Sequence, residues 1–106
     1  MKLTSIKLMP DYGCLPLWYY DDEEVGEIDP LIIPISYELA ADLLDWAKEY
    51  NQTLNDECPQ DSSFSNKELE IQFSEKGLGL AKRLNEELKD VEVVYFDIIT
   101  SEIKCI

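Results

Sequence analysis

Apolar residues recur at helical spacing in the stretch that follows Ser36. They are separated by four, three, four and four residues: Leu39, Leu43, Trp46, Tyr50 and Leu54. This spacing places them on one face of a helix, for which Ser36 is a favourable N-cap and Glu38 suits the positive end of the helix dipole. The pattern predicts an amphipathic helix over residues 37–54.

A second helical stretch begins at the capping-box motif Ser65-x-x-Glu68. Its apolar and glycine positions are again spaced for a helix: Leu69, Phe73, Gly77, Leu80, Leu84 and Leu88. Residues 68–73 also alternate between polar and apolar side chains, so a strand competes there. We favour one helix over residues 66–89, in which Gly77 and Gly79 each weaken the helix by about 1 kcal/mol relative to alanine.

Shorter segments have the composition of β-strands. Residues 2–9 alternate in polarity, and residues 91–99 are rich in the β-branched and aromatic side chains typical of a buried strand. Residues 15–20 suit a short returning strand, which Pro16 confines to an edge or an irregular path. Residues 103–106 allow an additional edge strand.

The intervening segments, residues 21–35 and 55–64, are predicted as loops because proline, glycine and polar residues interrupt them. Two amphipathic helices need a shared apolar surface to cover, and the N- and C-terminal strands can supply it. We therefore predict an α+β fold, in which a small sheet from these strands is covered by the two helices. The length of 106 residues, without an internal repeat, predicts a single domain over residues 1–106.

The charge of the chain restricts its partners. Nine basic and 23 acidic residues give a formal net charge of −14, and six of the acids lie within residues 21–30. This balance disfavours binding to nucleic acid or to an anionic membrane surface and favours a basic partner. The N-terminus lacks the apolar core of a signal peptide, and no apolar run approaches the roughly 20 residues of a membrane span. We therefore expect a cytoplasmic protein.

Acidic and aromatic side chains define two candidate docking surfaces. One combines the aromatic run Trp18-Tyr19-Tyr20 with the acidic loop that follows it in the sequence. The other is an acidic face of the first helix. The predicted partner-binding residues are Trp18, Tyr19, Asp21, Asp22, Glu23, Glu24, Asp42, Asp45 and Glu49. Neighbouring strand residues alternate sides, so at least one aromatic of the run should be exposed as an anchor. In the alternative interpretation, Trp18 and Tyr20 cap the core, Tyr19 is merely exposed, and both acidic surfaces are only solvated.

Residues that carry catalysis or bind cofactors are scarce. The chain has no histidine and one arginine, and the spacing of Cys14, Cys58 and Cys105 contains no C-x-x-C pair. We therefore expect neither a metal site nor a cofactor, and no catalytic residue. Calcium at the acidic loop is a weaker alternative, because the loop lacks EF-hand spacing.

The chain resembles small bacterial immunity proteins of polymorphic-toxin or contact-dependent growth inhibition systems. The residues that carry the resemblance extend over most of the sequence: Leu8, Met9, Asp11, Tyr12, Cys14, Pro16, Leu17, Trp18, Gly26, Ile28, Asp29, Pro30, Ser36, Leu39, Trp46, Thr53, Leu54, Asn55, Phe64, Gly77, Leu80, Ala81 and Leu84. The resemblance implies a non-enzymatic inhibitor whose partner is a cognate toxin C-terminal domain, but it assigns no toxin-contacting residue.

Three hypotheses about function follow. In the favoured one, the chain neutralises a basic toxin domain, such as a nuclease, by charge-complementary docking, which accelerates association. The second is an acidic mimic of nucleic acid that inhibits DNA- or RNA-binding enzymes in general. The third, weaker hypothesis is a carboxylate-dependent hydrolase, because a pair of carboxylates suffices for glycoside hydrolysis.

Overall fold

The structure is a computed structural model that describes residues 4–11, 13–20, 26–52 and 67–106. Its elements follow one another in this order: β1 (Ser5–Leu8), β2 (Leu17–Tyr19), β3 (Glu27–Ile28), a 3₁₀ helix (Pro30–Ile32), α1 (Tyr37–Asn51), α2 (Lys67–Glu87), β4 (Glu92–Asp97) and β5 (Glu102–Cys105).

The strands form one mixed sheet in the order β3-β2-β1-β4-β5. At its centre β1 and β4 run parallel, with Ile6 opposite Val93 and Leu8 opposite Tyr95. The other neighbouring pairs are antiparallel. The N- and C-terminal parts of the chain therefore build the middle of the sheet together, and the predicted α+β fold is confirmed.

Both helices pack against one face of the sheet, so the molecule has two layers around a single apolar core. The strands contribute every second residue to this core, and the helices contribute their apolar stripes. Its large members are Ile6, Leu8, Leu17, Ile28, Leu39, Leu43, Trp46, Phe73, Leu80, Leu84, Leu88, Val93 and Tyr95. Burial of each such side chain contributes about 1.5–3 kcal/mol, so this layer contact is the main source of stability.

The two helices form where they are predicted, but both end earlier than the predicted residues 54 and 89: α1 ends at Asn51 and α2 at Glu87. The Ser36 hydroxyl accepts a hydrogen bond from the backbone N–H of Leu39 (3.2 Å), as expected of an N-cap. Residues 53 and 54 of the predicted helix lie outside the described residues.

The competition between helix and strand over residues 68–73 is decided for the helix. Leu69 and Ile71 are exposed, whereas Phe73 enters the core together with Gly77 and Leu80. The apolar residues spaced for a helix extend over a longer stretch than the alternating residues 68–73, so the helix buries more apolar surface than a strand there would. The proposed cap Ser65 lies outside the described residues.

The prediction of a continuous loop over residues 21–35 is wrong at two places. Ile28 pairs with Leu17 across β2 and β3 and is buried in the core, so a short strand forms there. The 3₁₀ helix follows because the Asp29 carboxylate accepts a hydrogen bond from the N–H of Leu31 (2.9 Å). Both segments are too short to show a periodic pattern of apolar residues in the sequence. β3 forms because it pairs with β2, and the 3₁₀ helix forms because Asp29 caps it.

The C-terminal strands differ from their predicted bounds by a few residues. β4 covers residues 92–97 of the predicted 91–99, because the chain turns after Asp97. In this turn the N–H of Ser101 donates a hydrogen bond to the carbonyl oxygen of Asp97 (2.8 Å). β5 confirms the additional edge strand and starts one residue earlier than predicted.

Candidate docking surface

The acidic side chains of α1 lie along one side of the helix. Asp42, Asp45 and Glu49 are separated by three and four residues, which returns to the same face of an α-helix. Asp45 is exposed and has no ion-pair partner among the residues that the structure describes. This face therefore presents Asp45 as a free carboxylate.

The other two acids of this face pair with cations of α2. Asp42 Oδ2 lies 2.6 Å from Arg83 Nη1, and Glu49 Oε2 lies 2.8 Å from Lys76 Nζ. All four side chains are about half exposed, so each pair contributes at most about 1 kcal/mol. The order of the pairs shows that the helices are antiparallel, and it means that the acidic face is partly neutralised by its neighbour.

The aromatic run of β2 is divided between the two faces of the sheet. Tyr19 points to the helix side and packs against the core, half-buried. Trp18 points to the opposite side, where its Nε1–H donates to the carbonyl oxygen of Met9 (3.0 Å). Tyr20 is exposed, with Lys7 Nζ 6.0 Å from its ring centroid. One aromatic is thus exposed as predicted, but it is Tyr20, and the alternative in which Tyr19 alone stays outside the core is wrong.

The acidic residues Asp21, Asp22, Glu23 and Glu24 lie outside the described residues. Their segment connects β2 to β3, whose antiparallel pairing is closed by a hydrogen bond from the N–H of Tyr19 to the carbonyl oxygen of Gly26 (3.0 Å). Gly26 has a φ of 110°, a backbone conformation that favours glycine. In the sequence these acids lie between β2 and β3, and Trp18 and α1 are on opposite sides of the sheet that these strands join.

Sequence reasoning missed an exposed apolar surface at the entrance to α1. Leu31, Ile32 and Tyr37 are 55%, 69% and 79% exposed, and they are the three most exposed large hydrophobic residues in the described part of the chain. We define these three residues as the entrance patch. Three consecutive apolar residues, 31–33, in a segment predicted as a loop were the available signal.

A polar network that the sequence did not reveal lies at the contact of α2 with β4 and β5. The buried carboxylate of Asp97 accepts hydrogen bonds from Ser74 Oγ (3.0 Å), the N–H of Ile99 (2.9 Å) and Lys104 Nζ (2.8 Å). Burial alone raises the pKa of Asp97, but these three donors and the charge of Lys104 outweigh it, so the pKa lies below its usual range.

Tyr95 completes this network from the centre of the sheet. Its hydroxyl donates to the carbonyl oxygen of Ser74 (2.9 Å), and burial raises its pKa, as does the nearby charge of Asp97. Every buried polar side-chain atom among the described residues has a hydrogen-bond partner. The network thus joins α2 to β4 and β5. Because its buried polar atoms all have hydrogen-bond partners, its role is to stabilise the fold.

Cys14 is the half-buried thiol beside β2. Burial raises the pKa of this thiol, and the negative charges of Asp11 and Glu27 raise it further. This environment keeps Cys14 in the weakly nucleophilic thiol form. In the described ranges, no cluster of three or more potential metal ligands is present, and no helix there is both long and apolar enough to cross a bilayer.

Comparison with known proteins gives one family. A family model described as Serratia CdiI immunity protein-like matches residues 4–98. This match includes β1 to β4 and both helices, that is, the whole two-layer core. No curated protein matches the chain.

Proposed function

Because the chain belongs to the Serratia CdiI immunity protein-like family, we propose that it binds and neutralises the toxin domain of its own contact-dependent growth inhibition system. The family match over residues 4–98 is the observation that carries this proposal. The partner is a protein, the mechanism is inhibition by binding, and no chemical step by this chain is involved.

The distribution of charge supports a basic toxin. The 40 residues from Leu8 to Ala47 contain ten acidic residues and not one lysine or arginine. An enzyme that cleaves nucleic acid needs a basic cleft for phosphate, and such a cleft attracts a surface of this kind. We therefore propose that the toxin is a nuclease and that charge complementarity accelerates its capture.

We propose that the toxin contacts two acidic regions, residues 21–24 and the acidic face of α1. Trp18 and Tyr19 precede these acids in the sequence and lie on opposite sides of β2, and we propose that the toxin contacts both side chains. Asp45 should contribute more than Asp42 or Glu49, because α2 supplies no counter-charge to it. The expected difference between Asp45 and the other two acids thus follows from the ion pairs between the helices.

A co-expression experiment tests the proposal as a whole. The toxin domain of the cognate contact-dependent growth inhibition system should arrest growth when it is produced alone, and co-production of this chain should restore growth. The two purified proteins should form a stoichiometric complex. Continued growth arrest together with the absence of a complex would contradict the proposal.

Charge reversal tests the docking regions. One variant carries Asp45→Lys, and a second replaces residues 21–24 with lysine. Each should lower the association rate constant for the toxin domain at least about tenfold at low salt, with a smaller effect at high salt. The control for Asp45→Lys is Glu102→Lys, a single exposed charge reversal of equal size on β5, the sheet edge opposite β3. Equal association rates for all three variants would remove these regions from the interface.

The net charge of −14 also supports a second candidate function, general mimicry of nucleic acid. A mimic should bind several unrelated basic nucleases with similar affinity, whereas a dedicated immunity protein should discriminate strongly between them. Titration against a panel of unrelated nucleases and the cognate toxin domain distinguishes the two functions.

A further inference from the structure

We propose that the entrance patch of Leu31, Ile32 and Tyr37 is the apolar centre of the toxin-binding surface. The inference rests on the proposed function and adds to it the site at which binding energy is concentrated. Large apolar side chains that stay exposed together are unusual on a monomeric protein, and such patches mark interaction sites. Here the three most exposed ones of the described chain fall within seven residues.

The 3₁₀ helix holds its two patch residues in a fixed position. The Asp29 side chain accepts a hydrogen bond from the N–H of Leu31 (2.9 Å), and the Asp29 carbonyl accepts one from Ile32 (3.1 Å). Next along the chain, Ile33 and Ile35 turn inward and pack against the core. Leu31 and Ile32 therefore point outward from a segment that is anchored on its other side.

The backbone at the start of α1, from which the Tyr37 side chain projects, is fixed by the junction of the two helices. The carboxylate of Glu87 in α2 accepts hydrogen bonds from the backbone N–H of Ser36 (2.5 Å) and from its hydroxyl (2.9 Å), directly before Tyr37. The 3₁₀ helix itself packs against α1. A patch whose backbone is ordered before binding loses less conformational entropy on association, which favours affinity.

The charges around the patch define its occupant. Asp29 and Glu38 flank the patch along the chain, and Glu87 lies at Ser36, while residues 8–47 contain no cation. Nucleic acid and anionic lipid are repelled by such a surface. The fitting partner is a protein surface with an apolar centre and a basic rim, and a toxin domain with a phosphate-binding cleft has that basic rim.

Anchors of this type dominate binding energy. A buried interface centre surrounded by a polar rim typically contains a few residues whose truncation weakens binding strongly, and tyrosine is enriched among them. The acidic residues 21–24 and the acidic face of α1 would then govern the rate of association, whereas the entrance patch would govern the rate of dissociation.

Alanine substitutions test this division. Ile32→Ala and Tyr37→Ala, singly and combined with Leu31→Ala, are compared with wild type for binding to the toxin domain that wild type neutralises. We expect each single variant to raise Kd at least about 30-fold, mainly through faster dissociation. The matched controls Ile99→Ala and Ile103→Ala remove exposed isoleucines elsewhere, 41% and 45% exposed, and should leave Kd unchanged.

The possible outcomes separate this inference from the proposed function. If wild type fails to bind the toxin domain, the proposed function and this inference fail together. If wild type binds and the patch variants bind equally well, with thermal unfolding showing that they are folded, only this inference fails. Sedimentation velocity covers the remaining occupant: a wild-type dimer that the triple variant converts to a monomer would assign the patch to a second copy and overturn the inference.

Discussion

Gly77 lies at the point where α2 comes closest to the aromatic centre of the core. A Cβ atom at this position would lie 2.5 Å from Trp46 Cζ2 and 2.6 Å from the hydroxyl oxygen of Tyr95. Trp46 is itself fixed, because it stacks on Phe73 at 4.5 Å and donates its Nε1–H to the Phe73 carbonyl oxygen (3.1 Å). The glycine therefore has a packing role, whereas helix propensity alone identified it as a weak point.

Replacement of the two helical glycines should have opposite effects. Gly77→Ala should lower the free energy of unfolding by about 1–3 kcal/mol, because neither aromatic ring can move away in a packed core. Gly79→Ala is the matched control: nothing lies within 4 Å of its added Cβ, so it should raise the free energy of unfolding by up to about 1 kcal/mol through helix propensity. Urea unfolding followed by circular dichroism measures both. Stabilisation by Gly77→Ala would show that α2 has room to shift.

Asp97 shows how a buried carboxylate can stabilise this acidic chain. It is ionised with three donors around it, so its pKa in the folded state is lower than the ordinary value of 3.8. A lowered pKa contributes stability that is fully present above the unfolded-state pKa and is lost as the pH falls through the folded-state value. The contribution of Asp97 is therefore complete at neutral pH and is lost progressively as the pH falls from about 5 through the folded-state pKa.

The variant Asp97→Asn isolates this contribution. At pH 7 it should lower the free energy of unfolding by about 1.5–3 kcal/mol, because charge-assisted hydrogen bonds to a buried group are lost. The difference between wild type and variant should stay constant down to about pH 5 and then decrease. The exposed neighbour Glu102→Gln serves as the control and should show little difference at any pH. A difference that persists unchanged at pH 2 would contradict the assigned pKa direction.

At the scale of elements, the junction of the two helices fixes the N-terminus of α1. Ser36 caps its own helix through its hydroxyl, while the Glu87 carboxylate at the end of α2 accepts from both its N–H and its hydroxyl. One serine thus satisfies the first turn of α1 and joins it to a residue 51 positions away. The sequence before the apolar stripe of α1 identified Ser36 as the cap, but it could not identify Glu87 as the second hydrogen-bond partner.

A double-mutant cycle measures the coupling at this junction. Ser36→Ala should lower the free energy of unfolding by about 1–2 kcal/mol, as expected for loss of an N-cap. In the cycle with Glu87→Ala, the two effects should be less than additive by about 0.5 kcal/mol or more, because they share one hydrogen bond. Glu86→Ala, on the neighbouring exposed position, should couple to Ser36→Ala by less than that. Strict additivity of Ser36→Ala with Glu87→Ala would exclude the contact.

At the scale of the whole molecule, the net charge of −14 opposes folding through mutual repulsion of the carboxylates. Few favourable pairs offset it within the described residues: two half-exposed pairs join the helices, and one joins Lys104 to Asp97. A charge that is unfavourable for folding but suits a basic partner is consistent with a surface shaped by binding.

Salt should therefore stabilise the isolated protein. Raising NaCl from about 0.01 to 0.5 M shortens the screening length several-fold and should raise the free energy of unfolding, measured with urea because urea is uncharged. A variant with three exposed carboxylates neutralised (Asp45→Asn, Glu75→Gln and Glu86→Gln) should be more stable at low salt and gain less from NaCl. Destabilisation of wild type by salt would mean that attractive pairs outweigh the repulsion.

The candidate docking surface was harder to predict than the fold. Composition and helical spacing placed Asp42, Asp45 and Glu49 on one side of α1, because a helix imposes its period on any sequence. Their different electrostatic states depend on Arg83 and Lys76, which approach from another helix. The entrance patch was missed for a related reason: exposure of an apolar residue depends on whether another element covers it.

The sequence by itself determined the two helices, the strand-forming termini, the acidic character and the resemblance to immunity proteins. Periodicity and helix caps are local, the net charge is a sum over residues, and the resemblance is a pattern of residue types along the chain, so none of them requires knowledge of contacts between distant residues. The tertiary structure alone decided the parallel pairing of β1 with β4, the short strand at Ile28, the tight contact at Gly77 and the exposure of the entrance patch. These features depend on contacts between residues that are distant in sequence, so a local pattern, such as the apolar run 31–33, does not by itself determine them.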